Sequence, residues 1–335
     1  SGQLGTGDGT GTATPVFVPM PSGRSFTDIA AAWLHSCGLD DLGNAWCWGV
    51  GDFGTLGDGT LADSNVPVAV QMPGGVSVSQ IVSGNLGYNC ALDTMGEVWC
   101  WGNNIVGSFG NGTTSNAATP LHIDTPSGVT FTELTGGAGH VCALDDQQQV
   151  WCWGHNSFGS VGDGTDVHVL LPYETTQGLN ASFVSVSAGE FHTCAVDTAG
   201  TGWCWGKGVD GQIGDGTRLT VYTPTQVEMP DGELLVSISA GADHTCAIDS
   251  DGNPWCWGGN LFNHPLGDLG GTIHTPVPIQ VFNLTSYYVA LSAGSYHTCG
   301  IDDVGNIYCW GKNTRGQLGT GTLNHSNIPV LLIDP

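Results

Sequence analysis

The chain has 335 residues, 40% of them hydrophobic, with 54 glycines and 12 cysteines. Thirty acidic residues stand against five basic ones, Arg24, Lys207, Arg218, Lys312 and Arg315, so the formal net charge is −25 at pH 7. That balance excludes nucleic-acid binding, which needs a basic face to neutralise phosphates, and disfavours anionic membranes. No apolar run reaches the roughly 18 residues of a transmembrane helix, and the 12 tryptophans argue against a disordered chain despite the glycine content.

The first predicted element is SGQLGTGDGTGTATPVFVPMPSG (1–23), a Gly-rich turn and a short proline-bearing strand, with no leader pattern. The first hairpin follows as CGLDDLGNAWCWG from Cys37. It recurs as CALDTMGEVWCWG from Cys90, CALDDQQQVWCWG from Cys142, CAVDTAGTGWCWG from Cys194, CAIDSDGNPWCWG from Cys246 and CGIDDVGNIYCWG from Cys299. Successive copies start 53, 52, 52, 52 and 53 residues apart, and a fixed period of that size marks a repeat architecture. A further strand precedes each hairpin, as in LVSISAGADHTC, and a Gly-rich turn with a proline-bearing strand follows it, as in GQIGDGTRLTVYTPTQVEM.

Four short strands per repeat, without an amphipathic helix, predict an all-β chain, a β-propeller of four-stranded blades. The repeat units run at about 24–75, 76–128, 129–180, 181–232, 233–285 and 286–335 of a single domain, 1–335. Residues 1–23 form a surplus half-repeat. The fold is therefore six-bladed, or seven-bladed with one blade incomplete or strand-exchanged.

Asp follows each first cysteine by three, at Asp40, Asp93, Asp145, Asp197, Asp249 and Asp302. Gly follows it by six at Gly43, Gly96, Gly200, Gly252 and Gly305, and Gln148 takes that place in the third copy. The spacing predicts a three-residue hairpin loop with Asp opening the turn and Gly in the left-handed region. In that register the two cysteines oppose each other, so the expected disulfides are Cys37–Cys47, Cys90–Cys100, Cys142–Cys152, Cys194–Cys204, Cys246–Cys256 and Cys299–Cys309. Zinc is disfavoured, since nine intervening residues do not make a metal knuckle. Residues flanking the second cysteine share the opposite strand face. Inter-blade packing is therefore expected from Trp46, Trp48, Trp99, Trp101, Trp151, Trp153, Trp203, Trp205, Trp255, Trp257, Tyr308 and Trp310.

SAGEFHTCAV, DTAGTGWCWG and GQIGDG resemble, in order, the strand, hairpin arm and turn of the regulator-of-chromosome-condensation repeat family. The resemblance covers nearly the whole chain and implies a propeller, typically seven-bladed. The family's nucleosome-binding, nucleotide-exchanging founder has basic contact surfaces, which this acidic chain lacks. Its secreted bacterial members, among them a β-lactamase inhibitory protein that binds through one propeller face, are the nearer analogy. Six disulfides imply an oxidising, extracellular setting, secreted or at the cell surface.

Histidine stands two before the first cysteine at His35, His140, His192, His244 and His297, with Tyr88 in the second copy. The gap at Tyr88 favours bonds to the neighbouring blade over a metal ring. The turns at Asp58, Asp163 and Asp215 and the stretch Asp249 to Asn253 have a calcium-like look but no distal Glu. No other cofactor is expected. Sequons at Asn111, Asn180, Asn283 and Asn324 lie in expected loops and are candidate glycosylation sites. No catalytic constellation occurs, so no enzyme is expected. The largest break in the repeat, at 258–280 with His264 and His274, reads as a variable binding loop.

Seven tails and six heads leave residues 1–23 unmatched. The chain is a fragment, or the surplus patches a seventh blade in cis, or it pairs with another subunit. The expected function is a non-enzymatic secreted scaffold that self-assembles through residues 1–23 into a fibre or surface structure. The alternatives are a secreted protein-binding or inhibitor propeller using one face, and a lectin-like carbohydrate binder. Alkylation without reductant should label no thiol, and peptide mapping should link each cysteine to the one ten residues on.

Overall fold

The computed structural model describes residues 2–20, 23–260, 265–269, 273–282 and 287–333. Six four-stranded antiparallel sheets, the blades of a β-propeller, follow one another at 26–69, 78–123, 131–174, 183–226, 235–280 and 288–331. Each blade is a simple meander. The chain divides into two compact units. Residues 1–10, 16–156 and 167–174 hold blades 1 to 3, and residues 11–15, 157–166 and 175–335 hold blades 4 to 6.

The hairpin turn sets each blade's register. In blade 1 the second strand, His35–Asp40, pairs with the third, Ala45–Gly49, so that Cys37 faces Cys47. Asp40 N donates to Asn44 O at 3.0 Å and Gly43 N donates to Asp40 O at 2.9 Å. The Asp40 carboxylate accepts the N–H groups of Leu42 and Asn44, each at 3.0 Å. Gly43 has φ +74°, a conformation that costs an L-residue about 1–2 kcal/mol. Gln148 takes the same place with φ +62°, and its turn keeps both closing hydrogen bonds. All six hairpins carry their disulfide with Cα atoms 4.1 Å apart, and no cysteine is free.

The two aromatics around each second cysteine do different jobs. The second of each pair is buried, and its indole donates to a backbone carbonyl of the Gly-rich turn that precedes the blade in the chain. These bonds are Trp48 to Gln3, Trp101 to Thr55 and Trp153 to Ser108 in the first unit. In the second unit they are Trp205 to Ser160, Trp257 to Gln212 and Trp310 to Pro265. The first of each pair is half-buried. The indoles of Trp46, Trp99, Trp151, Trp203 and Trp255 are held by the turn aspartate of their own blade at 2.8–3.2 Å. Trp151 and Trp255 also lie against the core clusters of blades 2 and 3 and of blades 4 and 5. Tyr308, without an indole N–H, packs its ring edge-on to Tyr288.

The surplus segment has the geometry of a repeat tail. In the first unit Gln3 O accepts both Trp48 Nε1 at 2.7 Å and Ser36 Oγ at 3.0 Å. Thr55 O accepts Trp101 Nε1 and Asn89 Nδ2 in the same way. In the second unit Gly321 N donates to Ala13 O at 2.9 Å, as Gly164 N donates to Tyr222 O and Gly216 N to Pro276 O.

The turn at Gln148 gives a stability test. Gln148→Gly relieves the left-handed strain but loosens the unfolded chain, and the net expectation is a gain of about 0.5–1 kcal/mol in urea unfolding. Gly200→Ala, at the matching position with φ +81°, should lose about 1–2 kcal/mol. Equal effects at the two sites would contradict the assignment of strain.

Candidate interaction surface

The repeated polar residues are occupied by the scaffold. His35 Nε2 bonds Asn89 Oδ1, His192 Nε2 bonds Thr245 Oγ1 and His244 Nε2 bonds Thr298 Oγ1, each 2.9 Å away and in the next blade. Tyr88 donates its hydroxyl to His140 O at 2.6 Å, again across blades. Burial pushes His35 down to about 4 even though the Asn89 bond favours its charged form. Burial, helped by a nearby second histidine, pushes His140 and His244 down to about 3. His35, His140 and His244 are therefore neutral at ordinary pH.

The calcium-like turns close on themselves. Asp58, Asp163 and Asp215 each accept both the N–H and the hydroxyl of a threonine two residues on. The Asp249 carboxylate accepts Asp251 N, Asn253 N, Asn253 Nδ2 and Trp255 Nε1. Among the described residues no cluster of three His, Cys, Asp or Glu side chains could hold a metal. Asn180 and Asn324 are exposed in loops, and Asn111 Oδ1 accepts both N–H and hydroxyl of its own sequon's Thr113. Asn283 and His264 lie outside the described residues.

The first-to-second and third-to-fourth strand loops lie together at one end of each blade. In the second unit, Glu190, Asp243 and Tyr296 come from first-to-second loops, and Lys207, Asp210 and Lys312 from third-to-fourth loops. Lys207 Nζ sits 2.6 Å from Asp243 Oδ1 and 3.0 Å from Asp210 Oδ2. Burial lowers the Lys207 pKa, but these two carboxylates outweigh it and hold it above the usual lysine value. Burial, then the Asp243 charge, raises Glu190. Lys312 Nζ lies 4.8 Å from the centre of the Tyr296 ring, within cation–π range. His274 Nδ1 is 3.7 Å from Asp210 Oδ1, so this end of the 258–280 break joins the same cluster.

A cavity of about 30 Å³ beneath this cluster is lined by Asp210, Asp243, His244, His274 and Tyr296 among others. It has room for about one water and none for an organic substrate. A wider groove of about 740 Å³ in the same unit is open and runs along turn residues from Gly200 to Leu234. Four of the chain's five basic residues, Lys207, Arg218, Lys312 and Arg315, fall in the third-to-fourth loops of blades 4 and 6. Sequence reading passed over this cluster because Lys207 and Asp243 are 36 residues apart; the available signal was the gathering of scarce cations after two copies of the Trp-Gly motif.

In the first unit the same end exposes several large apolar side chains beside Asp52 and Asp63. Trp33, Leu34 and Leu86 from first-to-second loops, and Phe53 and Ile105 from third-to-fourth loops, are exposed. Leu34 O accepts Val50 N, and Leu86 O accepts Asn103 Nδ2, which ties the two loop types together within a blade. Phe53 holds φ +61°, an unusual conformation for an exposed aromatic.

The model of the RCC1-like domain family matches residues 1–334. The chain is 30% identical over 334 residues to the ultraviolet-B receptor UVR8 of Arabidopsis thaliana, covering 99% of this chain and 75% of that protein. It is also 30% identical over 294 residues to human E3 ubiquitin-protein ligase HERC2, covering 87% of this chain but 6% of that much longer protein. Yeast RCC1 (Prp20), in a structure with Kap60, superposes with a TM-score of 0.78 at 25% identity, over 91% of this chain and 74% of that one. Human WBSCR16 superposes with a TM-score of 0.86 at 20% identity, over 94% and 83%.

The buried histidines predict a pH dependence. Their folded pKa values lie below the ordinary 6.5, so the unfolded chain binds more protons and stability falls as pH drops below about 6.5. At pH 4.5 each of His140 and His244 should cost about 2–3 kcal/mol. Glu133, raised by burial to about 7, acts oppositely, since its contribution is present below about 4.5 and lost as pH rises towards 7. The difference between wild type and His244→Gln isolates one joint. The variant's urea midpoint should fall less between pH 7 and 4.5, and parallel curves would remove His244 from the account.

Proposed function

The chain belongs to the RCC1-like domain family, and from that membership we propose that it is a non-enzymatic, extracellular propeller that binds another protein through the charged loop end of blades 4 to 6. The observation that carries this is the gathering of four of five basic residues in third-to-fourth loops of two blades, in a chain otherwise almost bare of cations. Paired and mixed charges on a loop surface steer and orient a protein partner, and loops on a rigid scaffold are where propellers vary. A relative in the family, yeast RCC1, has been seen with a protein, Kap60. The six disulfides support an oxidising compartment.

Self-assembly through residues 1–23 is the other reading of the surplus half-repeat. We place partner binding first because the loop charges of blades 4 and 6 are a specific observation in its favour.

The test is a charge reversal. Lys312→Glu with Arg315→Glu should weaken capture of the partner from extracellular fluid about tenfold, with faster dissociation in high salt and a melting temperature lowered by no more than a few degrees through loss of the Tyr296 contact. Undiminished capture by the double variant would move the binding surface elsewhere, and a purified chain sedimenting as a salt-stable polymer would restore self-assembly.

A further inference from the structure

The loop end of blades 1 and 2 carries three exposed apolar side chains that the scaffold holds in place. Phe53, Leu86 and Ile105 are 50%, 39% and 58% exposed. They come from three loops, the third-to-fourth loop of blade 1 and the first-to-second and third-to-fourth loops of blade 2. Blade 2 lies between blades 1 and 3 of the same unit, joined to one by His35 and Asn89 and to the other by Tyr88 and His140. Its loop end stays open although both of its seams are filled.

A series of hydrogen bonds joins the three loops. Phe53 sits in the turn Asp52–Gly54, where Gly54 N donates to Gly51 O at 3.1 Å and Thr55 N to Asp52 O at 3.2 Å. Asp63 Oδ1 accepts Gly51 N at 3.0 Å. The Thr55 hydroxyl, between Asp52 O and Gly87 O, links that turn to the loop of Leu86. Asn103 Nδ2 donates to Leu86 O at 2.8 Å, and Asn103 Oδ1 accepts Ile105 N at 3.1 Å. Leu86 N donates to Ala138 O of blade 3 at 2.9 Å. The backbone under all three side chains is thus held before any partner arrives, which lowers the ordering cost of binding. Phe53 has φ +61°. That region is unfavourable for an aromatic residue, and a ring half open to solvent offsets little of the strain by packing. Strain of this kind collects where a chain binds something.

We propose that Phe53, Leu86 and Ile105 anchor a cationic, apolar segment of a protein partner. The charge around them selects that occupant. Asp52 and Asp63 are exposed at this end. Arg24, the only Lys or Arg before Lys207, lies at the hairpin end of blade 1, 3.7 Å from Asp40 and 3.6 Å from Asp41. The loop end of the first unit therefore has no lysine or arginine of its own. An apolar surface among charges of one sign favours an apolar segment that carries the other sign. The partner's apolar residues cover the three anchors, and the arginines or lysines beside them meet Asp52 and Asp63. A second copy of this chain brings a net charge of −25 and is the poorer occupant. This surface belongs to the first unit and the charged loop end to the second, so failure of either leaves the other standing.

The probe is a fluorescent amphipathic peptide with leucine on one face and arginine on the other, titrated onto the 335-residue chain by anisotropy. Versions with glutamine or glutamate in place of arginine run beside it. The arginine peptide should bind, and the other two at least tenfold more weakly. Leu86→Ser with Ile105→Ser should weaken the arginine peptide at least tenfold, and Asp52→Lys should weaken it and reduce its salt dependence. Leu219→Ser, which removes an exposed apolar side chain of the second unit, should change nothing. Phe53→Gly relieves the left-handed strain, so its melting temperature should hold or rise while its affinity falls at least tenfold. Equal binding of the glutamine peptide removes the charge selection and overturns the proposal. Undiminished binding by the Leu86 and Ile105 double variant places the peptide elsewhere and also overturns it. So does a dimer that Phe53→Gly dissociates, which makes a second copy the occupant. Binding to lipid vesicles that Phe53→Gly abolishes, without binding of the arginine peptide, makes a membrane the occupant and overturns it too.

Discussion

The aspartate that ends each second strand accepts two N–H groups of its own turn and, in five blades, the indole of a third-strand tryptophan. Those bonds fix the register of the central hairpin, and a slip of one residue would reverse every side chain between the two faces. With the register fixed, the cysteines meet and cross-link, the second aromatic points into the seam, and the histidine reaches the next blade. Each cross-link closes an eleven-residue loop, which the chain-entropy model values at about 2.8 kcal/mol. One short carboxylate thus organises strand pairing, covalent closure and inter-blade packing together.

The joint between blades is as repetitive as the hairpin. A single turn carbonyl takes both an indole and a side-chain donor from the following blade, at Gln3, Thr55, Ser160, Gln212 and Pro265. Buried carbonyls can accept two bonds, and leaving either donor without a partner in a dry seam would cost about 1–3 kcal/mol. A seam of this kind tolerates Tyr88 in place of histidine only because the longer side chain reaches a backbone oxygen instead.

The blades were legible because their signals are local and recur with a fixed period. Cys37 and Cys47 are ten residues apart, and Asp40 and Gly43 mark the turn between them. The separate roles of Trp46 and Trp48 were not legible: alternation puts both on one face, and only the positions of Asp40 Oδ2 and Gln3 O decide which indole goes where. Gln148 was visible as an exception, but not that it would adopt the glycine conformation rather than reshape the turn. The charged cluster was hidden for a different reason. Lys207, Asp243 and Tyr296 come from three repeats, and a period shows what copies share while passing over what one copy does alone.

That contrast also says where function can reside. An aspartate whose oxygens are filled by its own turn has no acceptor left for a ligand, and a histidine held near pKa 3 cannot exchange protons at neutral pH. Polar groups held in this way, such as the Asp249 carboxylate and the His244 ring, tie turns and blades together. The residues left to recognise anything are those that depart from the repeat, and in the second unit these are the half-buried Lys207 with its two carboxylates, Glu190, and Lys312 on Tyr296. Lys207 is neutralised within the protein, so it shapes the loops, whereas the exposed Arg218 and Arg315 carry charge outward. In a chain of net charge −25, two outward guanidiniums on one loop end are the local exception to a repulsive field, and an acidic partner would be oriented by that exception as much as by any contact it makes.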